Sequence, residues 1–247
     1  MSTSRTLTAT APGPAWADII SPVGTVTVTV DPALTHAVIT VSTTDDEGPL
    51  AEAVAHATHR EHPYRGMECI RVDIPEPRGG TTYGERKSTS NDRVDATEGT
   101  AGQGTGAGTI NVNVRLPSGK SSVRLDTNSA DLTAHGDLQI LDVHSVSGSI
   151  RAEGVHTLRA TTTTGGALAQ RVDYRVDVTT ESGKVHIGAY NGSEFRINSF
   201  SGAVNVSATP AADGEMDINT VSGNVTTRGT DELGVRIRTT TGDLNRR

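Results

Sequence analysis

Three histidines spaced three apart, His56, His59 and His62, are the first residues of this 247-residue chain that could do chemistry. On a helix they would share one face, and with Glu52 and Glu61 beside them they would offer imidazole and carboxylate ligands to a metal. The stretch PLAEAVAHATHR at 49–60 reads as that helix, opened by Pro49. His62 stands directly before Pro63, however, where a helix ends. The reading adopted is a solvated polar face, with no metal and no cofactor.

A second cluster joins His144 to Asp126 and Asp142, an acid/base grouping of the kind that solenoid polysaccharide lyases carry. Without a basic catalytic partner or a calcium site, it reads as surface charge, and no catalytic residue is assigned. Cys69 is the one cysteine, so no internal disulfide can form, and its parity is opposite to that of Ile70, Val72 and Ile74. GQGTGA at 102–107 matches a nucleotide-loop spacing. It follows a polar stretch rather than a strand and leads into a strand rather than a helix, so it reads as linker. The runs TTTT at 161–164 and TTT at 239–241 would suit an ice-binding face only if their hydroxyls pointed outward, and strand parity turns the ranked ones inward. Trp16 lies outside the repeat, and Tyr174, Tyr190, Phe195 and Phe200 form no exposed row, so no aromatic sugar platform is expected.

The elements that position these residues follow from a repeat. Aromatic content is only 3% while glycine reaches 27 residues, material for a stack of small aliphatics rather than a globular enzyme core. Seven corner residues, Ala130, Gly148, Gly165, Gly183, Gly202, Gly223 and Gly242, are spaced by 18, 17, 18, 19, 21 and 19, one solenoid turn each. Seven before each corner stand Val123, Leu141, Leu158, Val176, Phe195, Met216 and Val235. Five before stand Leu125, Val143, Ala160, Val178, Ile197, Ile218 and Ile237. All are apolar, and residues two apart share one side of a strand. Two after the corner come Leu132, Ile150, Val185, Val204, Val225 and Leu244; the third unit is read with one extra residue, aligning Leu168.

The same parity predicts two inward ranks of hydroxyls. One lies three before the corner: Thr127, Ser145, Thr162, Thr180, Ser199, Thr220 and Thr239. The other, a corner ladder, lies directly before it: Ser129, Ser147, Thr164, Ser182, Ser201, Ser222 and Thr241. Such hydroxyls can bond the backbone of their own turn, and glycine supplies the torsion that folds the chain back.

Outward, six before each corner, the chain reads Arg124, Asp142, Arg159, Asp177, Arg196, Asp217 and Arg236. Strict alternation of sign has a purpose if neighbouring units run parallel, side by side and about 4.8 Å apart. Opposite charges then face one another as a ladder that fixes register. Seven units put Arg124 and Arg236 at the two ends, which would discourage head-to-tail stacking. The expected fold is all-β: a parallel β-solenoid of about seven 17–21-residue rungs over 118–247. Residues 1–117 are expected to form a β-rich cap with one short helix and a flexible Gly/Ser/Thr-rich loop at 78–108. Strands are read at 18–30, 36–42, 69–74 and 109–116, and Gly24 follows the repeat rule as an early rung, with Ile19 five before, Ser21 three before and Val26 two after.

The unit x-Val-x-Thr-x-Ser-Gly-x-Val, preceded by VRLPSG at 114–119, resembles a bacterial β-strand-repeat family of unknown function. Members of that family are labelled candidate adhesins and are similar to auto-transporter adhesin head domains. The resemblance covers 118–247, and more loosely 18–42 and 109–117. It implies surface display and brings no catalytic residues.

Net charge is −7 with acidic and basic residues interspersed, so there is no basic stripe for nucleic acid. MSTSRTLTATAPGPAW lacks the apolar run of a signal peptide, and no stretch is long enough to span a membrane. The expectation is a cytoplasmic, non-catalytic scaffold or protein-interaction module of a bacterial cell. The alternative is a surface- or particle-borne adhesin or virion component that binds envelope glycans and arrives by a non-classical route. A solenoid carbohydrate-active enzyme is the third class.

Overall fold

The computed structural model describes residues 2–77, 109–231 and 233–246. The loop expected at 78–108 and the GQGTGA motif lie outside the described residues. In chain order the elements are β1 (Thr3–Thr8), β2 (Ala15–Ile20), β3 (Val23–Asp31), β4 (Val38–Thr43), α1 (Pro49–Ala55), β5 (Thr58–Tyr64), β6 (Met67–Asp73) and β7 (Ile110–Pro117). The repeat then supplies β8 (Ser122–Ser147), β9 (Ile150–Thr162), β10 (Ala167–Ser182), β11 (Val185–Tyr190), β12 (Glu194–Ser201) and β13 (Val204–Ala208). It closes with β14 (Glu215–Ser222), β15 (Val225–Arg228), β16 (Gly234–Thr241) and β17 (Leu244–Arg246).

The chain is an all-β parallel solenoid whose seven corner residues are joined by about six turns. Each turn has two arms. One arm stacks as β9, β10, β12, β14 and β16, and the other as β9, β10, β11, β13, β15 and β17, every pair parallel. Both arms continue toward the N-terminus, since β2 and β3 lie parallel on β8, with Ile19 opposite Leu125, Gly24 opposite Ala130 and Val26 opposite Leu132. Beyond them β6 lies on β2 and β7 on β3. The last strands at this end, β5 on β6 and the β7–β4–β1 series, are antiparallel, and α1 links β4 to β5.

The core is the predicted one. Residues seven and five before each corner are buried in the first six units, while Val235 and Ile237 of the final unit are partly covered. The period needs no extra residue in the third unit. Ala167 pairs with both Ile150 and Val185 and is 1% exposed, whereas Leu168 is 37% exposed. A small methyl fills the inward slot, and the larger Leu168 stands one residue out of phase on the outer face.

The two hydroxyl ranks part company. Three before the corner they are buried from Thr127 to Thr220, with Thr239 half-buried. Directly before it they face solvent: Ser129, Thr164, Ser182, Ser222 and Thr241 are exposed, and Ser147 and Ser201 are half-exposed. The inward reading of the corner ladder fails because the zigzag that fixes parity ends where the chain bends. These hydroxyls bridge turns instead. Ser147, Thr164 and Thr241 donate to the carbonyls of Asn128, Val146 and Val221, each two before the corner of the preceding rung (3.4, 3.3 and 3.2 Å).

Glycine at the corner answers to close approach more than to torsion. Gly148, Gly202 and Gly242 have positive φ (129°, 157° and 144°), but Gly165, Gly183 and Gly223 do not. At every corner from Gly148 to Gly242 a Cβ would fall onto the backbone carbonyl of the previous corner residue. Turns spaced as tightly as a parallel sheet leave no room there for a methyl group.

Candidate functional site

The helix expected at 49–60 stops at Ala55. His56 caps it, with Nδ1 2.8 Å from the Glu52 carbonyl oxygen, while His59 and His62 belong to β5, three apart and so on opposite sides of that strand. Antiparallel pairing with β6 outweighs the helical pattern, and the shared face that would have gathered the three histidines does not form. Among the described residues no cluster of three or more His, Cys, Asp or Glu could hold a metal ion.

The charged positions six before each corner align by register: Asp142 opposite Arg159, Arg159 opposite Asp177, then Arg196, Asp217 and Arg236 in turn. Arg124 is not an end. Asp18 lies opposite it and Arg71 lies opposite Asp18, which extends the alternation two places and rules out an Arg124–Arg236 contact between stacked copies. Arg71 reaches Asp18 at 3.0 Å. Elsewhere the carboxylates turn to partners on their own strand, Asp142 to His144 (3.3 Å) and Asp177 to Arg175 (3.1 Å). On the other arm Asp137 and Arg171 pair across two turns, over Gly154, where a Cβ would collide with both.

His144 and Asp126 do line one depression, an open groove of about 400 Å³ that also takes in Glu76, Asn128 and Val146. They are not coupled to each other: Arg124 holds Asp126 at 3.2 Å and Asp142 holds His144. Further along the same strip a second groove of about 410 Å³ crosses four turns. Its walls are the residues four and two before each corner: Thr179 in the first turn, then Asn198 with Phe200, Asn219 with Val221, and Arg238 with Thr240. Its floor is Thr180, Ser199, Thr220 and Thr239, whose hydroxyls are buried without a hydrogen-bond partner. Phe200 is 59% exposed and Val221 41% exposed. The amides are linked: Asn219 Nδ2 donates to Asn198 Oδ1 (3.3 Å) and to Asp217 Oδ1 (3.2 Å), while Arg238 donates to Asn219 Oδ1 (3.4 Å). Sequence reasoning missed this groove because it searched for a row of rings. The available signal was the column two before the corner, which places Val146, Phe200 and Val221 in line.

The other aromatics are structural or lie elsewhere. Tyr190 and Phe195 are buried edge to face, with centroids 5.0 Å apart. Tyr174 stacks on His156 at 5.2 Å on a different corner, and Trp16 meets Tyr64 edge-on at 5.0 Å. Cys69, despite its outward parity, is 2% exposed. Burial, followed by the Asp18 carboxylate, pushes its thiol up to about 11. About one thiol in a thousand is then ionised at pH 8. Ellman's reagent is therefore expected to miss Cys69 in the native chain and to titrate one thiol in guanidinium; rapid native labelling would contradict the burial.

Glu153 has a defined electrostatic setting as well. It accepts from His135 Nδ1 (2.9 Å) and from the Gly136 amide (2.8 Å), and these bonds hold its carboxyl below the ordinary 4.5. A depressed folded pKa adds stability above the unfolded value, and that contribution is lost as pH falls through the folded one. Carbon-detected NMR should find Glu153 titrating below 4.5, and His135→Ala should move the midpoint upward. An unchanged midpoint in the variant would remove His135 as the cause.

A model of the Toastrack DUF4097 family matches residues 105–247, more than half of the chain. The chain belongs to that family. Among solved structures, the Toastrack chain is similar to a candidate adhesin from Bacteroides fragilis NCTC 9343, with TM-score 0.54 and 11% identity over 99% of this chain and 97% of that one. A candidate cell adhesion protein from Clostridium sporogenes ATCC 15579 aligns with TM-score 0.48 and 10% identity over 100% and 99% of the two chains. The first likeness shows a shared fold. No curated protein matches the sequence. No helix among the described residues is long and apolar enough to cross a membrane.

Proposed function

We propose that this Toastrack chain is a non-catalytic binding module of a bacterial cell, a rigid stack that holds its partner along one axial strip. The observation that carries the reading is the four-turn groove, where Phe200 and Val221 stand exposed among amides and hydroxyls. In β10, β12 and β14, the strands that form most of it, the backbone is paired on both sides, so recognition falls to side chains. Solvent-exposed apolar groups rimmed by polar ones mark binding surfaces more often than chemistry. The fold shared with the Bacteroides candidate adhesin supports a binding role without naming a partner.

The test is affinity capture from the host with the full chain and with Phe200→Asp, with proteins scored by mass spectrometry and polysaccharides by sugar analysis. A specific, identified partner held by the wild type and lost by the variant supports the reading. Capture that ignores the substitution overturns it. Surface proteolysis of intact cells separates the two locations, since an adhesin is cut and a cytoplasmic scaffold is spared.

A further inference from the structure

The geometry points to a neutral, extended, β-linked oligosaccharide as the ligand of the Phe200 groove, an inference that rests on the binding-module reading above. Four features of the groove fit a polyhydroxy chain. Its polar groups are mainly uncharged amides and hydroxyls, those of Asn198, Asn219, Thr179 and Thr240. These donate and accept at once, as a ring of hydroxyls requires. Its single cation, Arg238, gives one N–H to the neutral Asn219 amide and keeps its charge, so it stands as one cation among mostly uncharged polar groups.

The second feature is the ring. Phe200 presents an apolar surface beside those polar groups, suited to the axial C–H face of a pyranose. The third is preorganisation. The Asn198–Asn219–Arg238 chain fixes each amide in place before any ligand arrives, which lowers the ordering cost of binding. The fourth is spacing. The lining positions recur once per turn, with the amides on two adjacent turns, about 4.8 Å apart, close to the rise per sugar of an extended β-1,4-linked chain. Neighbouring sugars of such a chain are turned over relative to one another, so every second sugar would meet every second turn in the same way. A peptide would instead seek an open strand edge; β12 and β14, which carry Phe200 and Val221, have none, and among the described residues the only unpaired edge in the groove is that of β16 at its far end.

The experiment titrates the full chain with cellohexaose and chitohexaose by calorimetry and saturation-transfer NMR, with hexagalacturonate as an acidic comparator. One of the neutral hexamers is expected to bind, more tightly than its dimer because the groove spans four turns. Phe200→Ala, at an exposed position that leaves the core intact, should weaken binding by about tenfold or more. Tyr174→Ala, an exposed ring on another corner, should leave it unchanged. Failure of both neutral hexamers to bind overturns the assignment, as does preference for the acidic one or indifference to Phe200→Ala. A protein partner lost on Phe200→Asp with no oligosaccharide bound overturns the glycan assignment alone; failure of all groove-dependent capture overturns the binding-module reading with it.

Discussion

Gly183→Ala is expected to cost about 3 kcal/mol of unfolding free energy, at the upper end of what an overpacked site costs. Gly183 is not in the left-handed region, so no torsional penalty contributes. The added methyl would instead fall onto the Gly165 carbonyl and lie 2.8 Å from Thr180 Oγ1. Neither obstacle is the far end of a flexible side chain. Gly234→Ala is the control, since its nearest atoms, the Gly214 carbonyl oxygen and Glu215 Cγ, are 3.5 and 3.6 Å away. That substitution should be close to neutral. Urea titrations of the two variants decide the matter, and equal midpoints would refute the claim that close approach between turns selects glycine.

Phe195→Ala should be the other large loss, about 3–5 kcal/mol as for truncation of a buried ring. Phe195 is opposite Val176 on one side and Met216 on the other, and its edge-to-face partner is the buried Tyr190. Removing it empties space in three consecutive turns at once. In a stack held by nearest-neighbour contacts the damage should be local. Hydrogen exchange is expected to quicken in β10, β12 and β14 while β2 and β6 keep their protection. Uniform acceleration along the whole chain would show instead that the solenoid opens as one unit.

Much of this architecture was legible because it is written in parity. A buried strand face repeats every second residue, so the columns seven and five before the corner could be read directly, and the charge register followed from alternation of sign. Gly24 announced an early rung by the same rule, and the structure places it opposite Ala130. Parity fails where the chain bends, which is why the hydroxyls from Ser129 to Thr241 were turned the wrong way. It also says nothing about elements distant in sequence: the pairing of β6 with β2, which buries Cys69 and continues the charges to Arg71, has no local signature. The histidine trio shows the opposite error, a real helical spacing overruled once 58–64 found a strand to pair with. The groove around Phe200 was hidden for a simpler reason. Its exposed apolar residues recur once per turn, a period visible only after the turns are aligned.

The alternation of sign from Arg71 to Arg236 also limits how such a chain can change length over evolutionary time. Loss of the single turn bearing Arg159 would bring Asp142 against Asp177, and gain of one turn at the same place would bring two like charges together somewhere in the column. Removing or duplicating two adjacent turns keeps every neighbour opposite in sign. The heritable module of this protein is therefore a doublet, one turn with an arginine and one with an aspartate. Relatives of different length that keep the alternation should differ by even numbers of turns.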